Sequence, residues 1–116
     1  MQSTTRYKRG DIVLVTFPFT DLTSSKRRPA LVISPDSYNE NSQDLVLAAI
    51  TTQLIDEPNT IILAENDFVG GKLPKPSAVK LTKMFTMHST LVRKRMCALN
   101  KEKMKEVLGE LRSLFS

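Results

Sequence analysis

The 116-residue chain carries 17 Lys and Arg against 12 Asp and Glu, a net charge of +5, with 41% hydrophobic and 25% charged residues. That is ordinary globular composition, enough for one domain over residues 1–116, and it excludes a disordered polyelectrolyte. A single cysteine, Cys97, excludes an internal disulfide framework, and the longest apolar run, Leu45 to Ile50, excludes a helical membrane span.

Met1 to Gly10 is polar and basic and does not read as a signal peptide, so the expected location is cytoplasmic. Ile12 to Phe17 is β-branched and apolar after a Gly-Asp turn signal, and predicts a buried strand. Phe17 to Pro29 reads as a loop ending in Lys26-Arg27-Arg28. Ala30 to Ser34 predicts a second buried strand, and the polar stretch Asp36 to Asp44 one short helical turn. Leu45 to Thr51 predicts a third strand, followed by a polar loop through Asn59, and Thr60 to Ala64 a fourth. Gly70-Gly71 and Pro74 to Pro76 break regular structure. Ser77 to Phe85 alternates imperfectly, with Ala78, Lys80, Thr82 and Met84 on one face and Val79, Leu81, Lys83 and Phe85 on the other. It predicts one or two strands with each face partly buried.

The tail is the clearest element. Asn100 suits an N-cap, Glu102 suits the first turn, and Met104, Val107, Leu108, Leu111, Leu114 and Phe115 recur at helical spacing. Lys101, Lys103, Lys105, Glu106, Glu110 and Arg112 fill the other side. The spacing predicts an amphipathic helix from about Lys101 to Leu114 docked on a sheet. Strands first and a helix last indicate a mainly β (α+β) domain, a small half-open β-barrel with helical additions.

Charge is segregated along the chain. Residues 1–30 hold six Lys and Arg against two acids, residues 31–70 seven acids and no cation, and residues 71–116 eleven cations against three acids. Side by side in the fold, the two basic segments would make a one-sided positive surface, the footprint of a polyanion partner; apart, they are a solvated surface.

Most enzyme chemistries lack their residues. There is one histidine, His88, which reads as a surface or turn residue. Cys97 has no second cysteine at metal-binding spacing and reads as a core filler. No phosphate-binding glycine loop is present, so no metal or cofactor is expected. What remains is Arg, Lys, Ser and Thr at strand ends. Lys26-Arg27-Arg28 precedes one buried strand and Thr51-Thr52-Gln53 ends another. An arginine fork with threonine hydroxyls makes a phosphate cradle. RNA asks little more, since its 2′-hydroxyl is an internal nucleophile. The plainer readings are Arg28 paired with an acid, Thr51 and Thr52 as ordinary β-formers, Ser77 starting a strand by bonding to backbone, and Lys80 and Lys83 solvated. Phe17 and Phe19 are core or a stacking surface for a base.

Lys8-Arg9-Gly10-Asp11-Ile12-Val13-Leu14-Val15, Phe17-Pro18-Phe19-Thr20-Asp21 and Arg27-Arg28-Pro29-Ala30-Leu31-Val32-Ile33-Ser34 together resemble the MazF/PemK toxins. So do Ala49-Ile50-Thr51-Thr52, Pro76-Ser77-Ala78-Val79-Lys80-Leu81 and Lys83-Met84-Phe85-Thr86-Met87. The Phe-Pro-Phe-Thr-Asp segment marks a branch of that family. The resemblance implies an SH3-like half-open β-barrel with a C-terminal amphipathic helix, a homodimer, and metal-independent endoribonuclease activity on single-stranded RNA at short words. Its products would be a cyclic phosphate and a 5′-hydroxyl. It places catalysis on Arg28 and Thr51, with Phe19, Thr20, Lys26, Arg27, Thr52, Ser77, Lys80 and Lys83 as RNA-binding candidates. It also implies a cognate acidic antitoxin. The chain departs from many relatives at Thr82-Lys83-Met84-Phe85, at His88 and at Ser24-Ser25, so base specificity does not carry over. A non-catalytic module on the same fold, binding nucleic acid or a protein target such as gyrase, is the alternative.

Overall fold

The computed structural model describes residues 7–17 and 26–116. Its strands are β1 (Asp11–Phe17), β2 (Lys26–Val32), β3 (Asp44–Thr51), β4 (Thr60–Leu63), β5 (Phe68–Val69), β6 (Ser77–His88) and β7 (Val92–Leu99). Among the described residues two α-helices, α1 (Asp36–Asn41) and α2 (Lys101–Leu114), complete the architecture. All strand pairs are antiparallel, and the sheet runs β4-β6-β3-β2-β1-β7-β5. The sheet curls into the expected half-barrel with the expected C-terminal helix.

Both faces of the sheet are buried, which is why the central strands read as continuous apolar runs. On one face Ile12, Leu31, Ala48, Ile50, Val79 and Leu81 pack with Met104 and Val107 of α2. On the other Val13, Val15, Ala30, Val32, Leu45, Leu47, Met87 and Val92 form a second cluster, with Tyr7 and Phe85 against it. The Asn100 side chain accepts from the Lys103 N–H at 2.7 Å and so caps α2 as its sequence predicts. Two details of that helix differ from expectation. Phe115 stands 72% exposed just past the last turn. Lys103 is drawn from solvent into ion pairs with Asp67 at 3.6 Å and Glu106 at 3.1 Å.

Three other expectations are corrected. β2 begins at Lys26, so Lys26-Arg27-Arg28 stands on a strand rather than in a loop. Pro29 is tolerated there because the β2–β3 ladder ends at Ala30, leaving β1 as its partner strand. β6 extends to His88, and a further strand, β7, follows it.

The third correction is one of register. Ala49 pairs with Lys80 but Ala48 pairs with Met84, so Leu81, Thr82 and Lys83 bulge from β6 without β3 partners. An odd number of extra residues inverts the alternation beyond it. Val79 and Leu81 therefore join the first cluster while Phe85 and Met87 join the second. This inversion is what made the periodicity of Ser77 to Phe85 imperfect.

A buried carboxylate ties the N-terminal side of the sheet together. Asp11, 7% exposed, accepts from the Lys8 N–H at 2.8 Å and from Arg95 Nε at 2.9 Å. The Arg95 guanidinium also lies 5.8 Å from the Tyr7 ring centroid.

Candidate functional site

One face of β3 runs from core to cleft. Leu45 and Leu47 are buried, Ala49 follows, and Thr51 emerges where the strand ends. Residues opposite one another in antiparallel ladders share a face. Ala49 is flanked by Ala30 on β2 and Lys80 on β6. Extending the β2–β3 register by two residues sets Arg28 opposite Thr51, on the same face as Ala30. Arg28 pairs with Val15 of β1, whereas Arg27 pairs with Thr16 and so projects from the opposite face.

The result is an open cleft of about 680 Å³ whose walls include Arg28, Pro29, Ala49, Thr51, Thr52, Gln53, Lys80 and Lys83. Both expected catalytic residues and three of the expected contacts (Thr52, Lys80 and Lys83) thus converge from β2, β3 and β6. Thr51 Oγ1 accepts from the Gln53 N–H at 3.0 Å. That bond fixes the oxygen while leaving its O–H to donate. Lys80 Nζ lies 3.5 Å from Glu57 Oε1, with both side chains partly exposed. Glu57 comes from the loop after Thr51 and had no local sequence signal; only the fold brings it to Lys80.

Other candidates fall elsewhere. Lys26 and Arg27 are exposed on β2 and are not cleft walls. Ser77, 3% exposed, starts β6 and donates its hydroxyl to the Lys75 carbonyl at 2.8 Å, as the plainer reading of it expected. Phe19 and Thr20 lie outside the described residues. His88 ends β6 with Nδ1 2.8 Å from Thr90 Oγ1 and Nε2 2.8 Å from Gln43 Oε1. Cys97 is 2% exposed within the core, and burial, then the Asp11 carboxylate, push its thiol up, away from the reactive thiolate.

The two basic segments do meet. β1 lies between β2 and β7, and Val15 pairs with Arg28 on one side and Val92 on the other. Lys26-Arg27-Arg28 and Arg93-Lys94-Arg95, all exposed, therefore flank one strand end, beside the cleft. Electrostatically this end of the sheet suits an extended polyanion.

A curled antiparallel sheet, a docked terminal helix and a cationic, hydroxyl-bearing cleft at the strand ends define a small half-open β-barrel with a cleft suited to phosphate. Residues 8–115 match the model of the PemK-like, MazF-like toxins of type II toxin–antitoxin systems, and the chain belongs to that family. No curated protein matches its sequence. Among solved structures it is similar to a mycobacterial endoribonuclease, at 17% identity over 98% of this chain and 95% of that one, with a TM-score of 0.77. It is also similar to a chain of the MazE–MazF complex of Deinococcus radiodurans, at 22% identity over 94% and 95% of the two chains and a TM-score of 0.77. The Mycobacterium tuberculosis toxin MazF-mt6 follows at 15% identity, 90% and 95% coverage and a TM-score of 0.73. At such identities the likeness is one of fold.

Proposed function

We propose that this chain is an endoribonuclease that cuts single-stranded RNA, mRNA above all, at short sequence words without a metal ion, as the toxin of a toxin–antitoxin pair. The observation that supports it best is the convergence of Arg28, Thr51, Thr52, Lys80 and Lys83 on one cleft. These groups bind phosphate directly. Arg28 donates in bidentate fashion to the non-bridging oxygens of the scissile phosphate and stabilises the charge that grows on them. The Thr51 hydroxyl donates to the same phosphate and fixes its orientation. Lys80 and Lys83 face the flanking phosphates.

With the phosphate held, the RNA's own 2′-hydroxyl attacks phosphorus in line and loses its proton to water. The bond to the 5′-oxygen breaks, and that oxygen takes a proton from water. The products are a cyclic phosphate and a 5′-hydroxyl. Arg28 remains charged throughout, since a guanidinium does not deprotonate in a protein. Its role is electrostatic.

The whole chain, residues 1–116, acts in this reading as one cytoplasmic domain in a homodimer, within the branch marked by Phe17-Pro18-Phe19-Thr20-Asp21. Its antitoxin is an acidic protein, suited to the cations around β1. Two structural neighbours are complexes, one of a mycobacterial endoribonuclease with its cognate antitoxin and the other the MazE–MazF complex of Deinococcus radiodurans.

The test is cleavage of a long single-stranded RNA by purified protein in excess EDTA, with the ends mapped chemically. Discrete cuts carrying cyclic phosphate and 5′-hydroxyl ends are expected. Folded protein that binds RNA with a steep salt slope yet leaves several RNAs intact would instead identify a non-catalytic binding module.

The Glu57 carboxylate occupies Lys80 where a substrate phosphate is to sit. Glu57→Gln is therefore expected to tighten RNA binding about two- to fivefold, the scale of one exposed ion pair. Filter binding of an uncleavable 2′-deoxy oligonucleotide reads this directly, and weaker binding by the variant would overturn it.

A further inference from the structure

Cleavage by the route above leaves the proton of the 2′-hydroxyl in need of an acceptor. The walls of the cleft offer cations, hydroxyls and an amide but, among the described residues, no carboxylate. The carboxylate that reaches those walls is Glu57, whose Oε1 lies 3.5 Å from Lys80 Nζ. The fold sets it there. Its loop leaves the cleft at Thr51 and returns through Asn59, whose carbonyl accepts from the Leu81 N–H at 2.9 Å. The Asn59 side chain also donates to Glu110 of α2 at 3.4 Å, and the next residue, Thr60, pairs with Lys80. Glu57 thus stands two residues before an anchored turn, in a stretch, Thr52 to Pro58, that is exposed throughout.

We propose that Glu57 is the general base of the reaction, and that RNA frees it for that task by taking Lys80 from it. The inference rests on the nuclease reading and adds to it the group that receives the proton. The 5′-phosphate of the nucleotide being cut sits on Lys80 in place of the carboxylate. Its 3′-phosphate is the scissile one, held by Arg28 and Thr51, and the ribose lies between. As the 2′-oxygen bonds to phosphorus, its proton passes to a water, and that water gives a proton to the Glu57 carboxylate. The bond to the 5′-oxygen breaks, that oxygen takes a proton from solvent, and Glu57 later returns its own to solvent.

Reach is the first argument. Lys80 pairs with Ala49, two residues before Thr51 on β3, so Lys80 and Thr51 are rooted roughly 8 Å apart. One nucleotide spans that gap, and a base can act through a single water. A seat for that water is the second argument. Thr60 stands opposite Lys80 on the same face, and its buried hydroxyl has no hydrogen-bond partner among the described residues. A water bonded there would satisfy it and lie beside Lys80. Exchange of partners is the third. A carboxylate that has lost its ammonium to a phosphate accepts a proton more readily than one that keeps it.

The charged groups around Glu57 are Lys80 from β6, Asp56 of its own loop and Glu110 of α2 at the anchor. Asp56→Asn removes the same charge from the same loop and serves as the control. The experiment measures kcat and KM, across pH, on an RNA oligonucleotide holding one mapped cut. Glu57→Gln is expected to lower kcat about 10²-fold, the scale of one general base, while KM falls about two- to fivefold. Asp56→Asn is expected to keep kcat within about twofold, as an exposed and screened charge. Wild type and Asp56→Asn should both lose rate in acid, and Glu57→Gln should lack that limb of the profile. Formate, a carboxylate small enough for the space left in Glu57→Ala, should raise the rate of that variant and leave wild type unchanged. A Glu57→Gln protein that binds more tightly and cuts at the wild-type kcat would make Glu57 a lock on Lys80 and overturn the base. So would a slowed Glu57→Gln that keeps the acid limb, with no effect of formate on Glu57→Ala. A wild type that cuts no RNA removes the nuclease reading as well, whereas these outcomes beside an active wild type remove the base alone.

Discussion

Arg28→Ala is expected to lower RNA cleavage by about 10³-fold while leaving the fold intact. The size follows from the position of the guanidinium in the cleft with Thr51, where the proposed reaction makes it the strongest donor to the developing phosphorane. Losing one such preorganised donor typically costs 10²- to 10³-fold, and an arginine at a transferring phosphoryl group more. Stability should change little, because Arg28 is an exposed residue at the open start of β2. Single-turnover cleavage beside circular dichroism separates the two. Arg28→Lys should recover only part of the rate, since an ammonium supplies charge without the planar fork. A well-folded Arg28→Ala protein that cuts at the wild-type rate would move catalysis to another residue.

The largest stability effect is expected from Leu31→Ala. Leu31 is fully buried at the centre of the sheet, paired with Ile12 on one side and Ala48 on the other. Its neighbours are held by two ladders and cannot collapse into the space left behind. Truncation of such a leucine costs about 3 kcal/mol, transfer and cavity terms together. For a chain of this size that lowers Tm by roughly 10 °C. Urea unfolding followed by far-ultraviolet dichroism measures it, and a loss under 1 kcal/mol would show that the sheet relaxes around the site. Because Leu31 lies three residues from Arg28 on the same strand, RNA cleavage in the surviving folded fraction should stay near wild type.

The parts of this fold legible in the sequence are those whose burial is simple. β1 and β3 lie inside the sheet with both faces covered, so Ile12 to Val15 and Leu45 to Ile50 are unbroken apolar runs. α2 shows its 3.6-residue spacing and its Asn100 cap. β7 was hidden because, among the described residues, all of it but Ala98 and Leu99 lacks an outer neighbour: Arg93-Lys94-Arg95 faces solvent, and exposed cations carry no strand periodicity. The start of β2 was hidden for the same reason, with Pro29 adding a false stop. Arg28 and Thr51 were legible as candidates because both stand at the edges of apolar runs. Their meeting was not, since it depends on which strands become neighbours. Glu57 was invisible as a site residue, since it reaches Lys80 through a loop. Phe19 and Thr20 lie outside the described residues and keep the standing the sequence gives them.

The three-residue excursion in β6 has a consequence for how such a protein can change over time. It acts as a joint between two stretches that answer to different partners. Upstream, Ser77 to Lys80 is locked between β3 and β4, so the spacing of Lys80 from Thr51 is protected from length changes further along. Downstream, Met84 to His88 has β3 as its one strand partner among the described residues, so the backbone there is held by a single ladder. Lengthening or shortening the excursion by one residue would swap which side chains of Met84 to His88 face each cluster without moving Lys80 from its place beside Ala49. A lineage could in this way refashion one edge of the sheet while the strand ends that carry Arg28, Thr51 and Lys80 stay where they are.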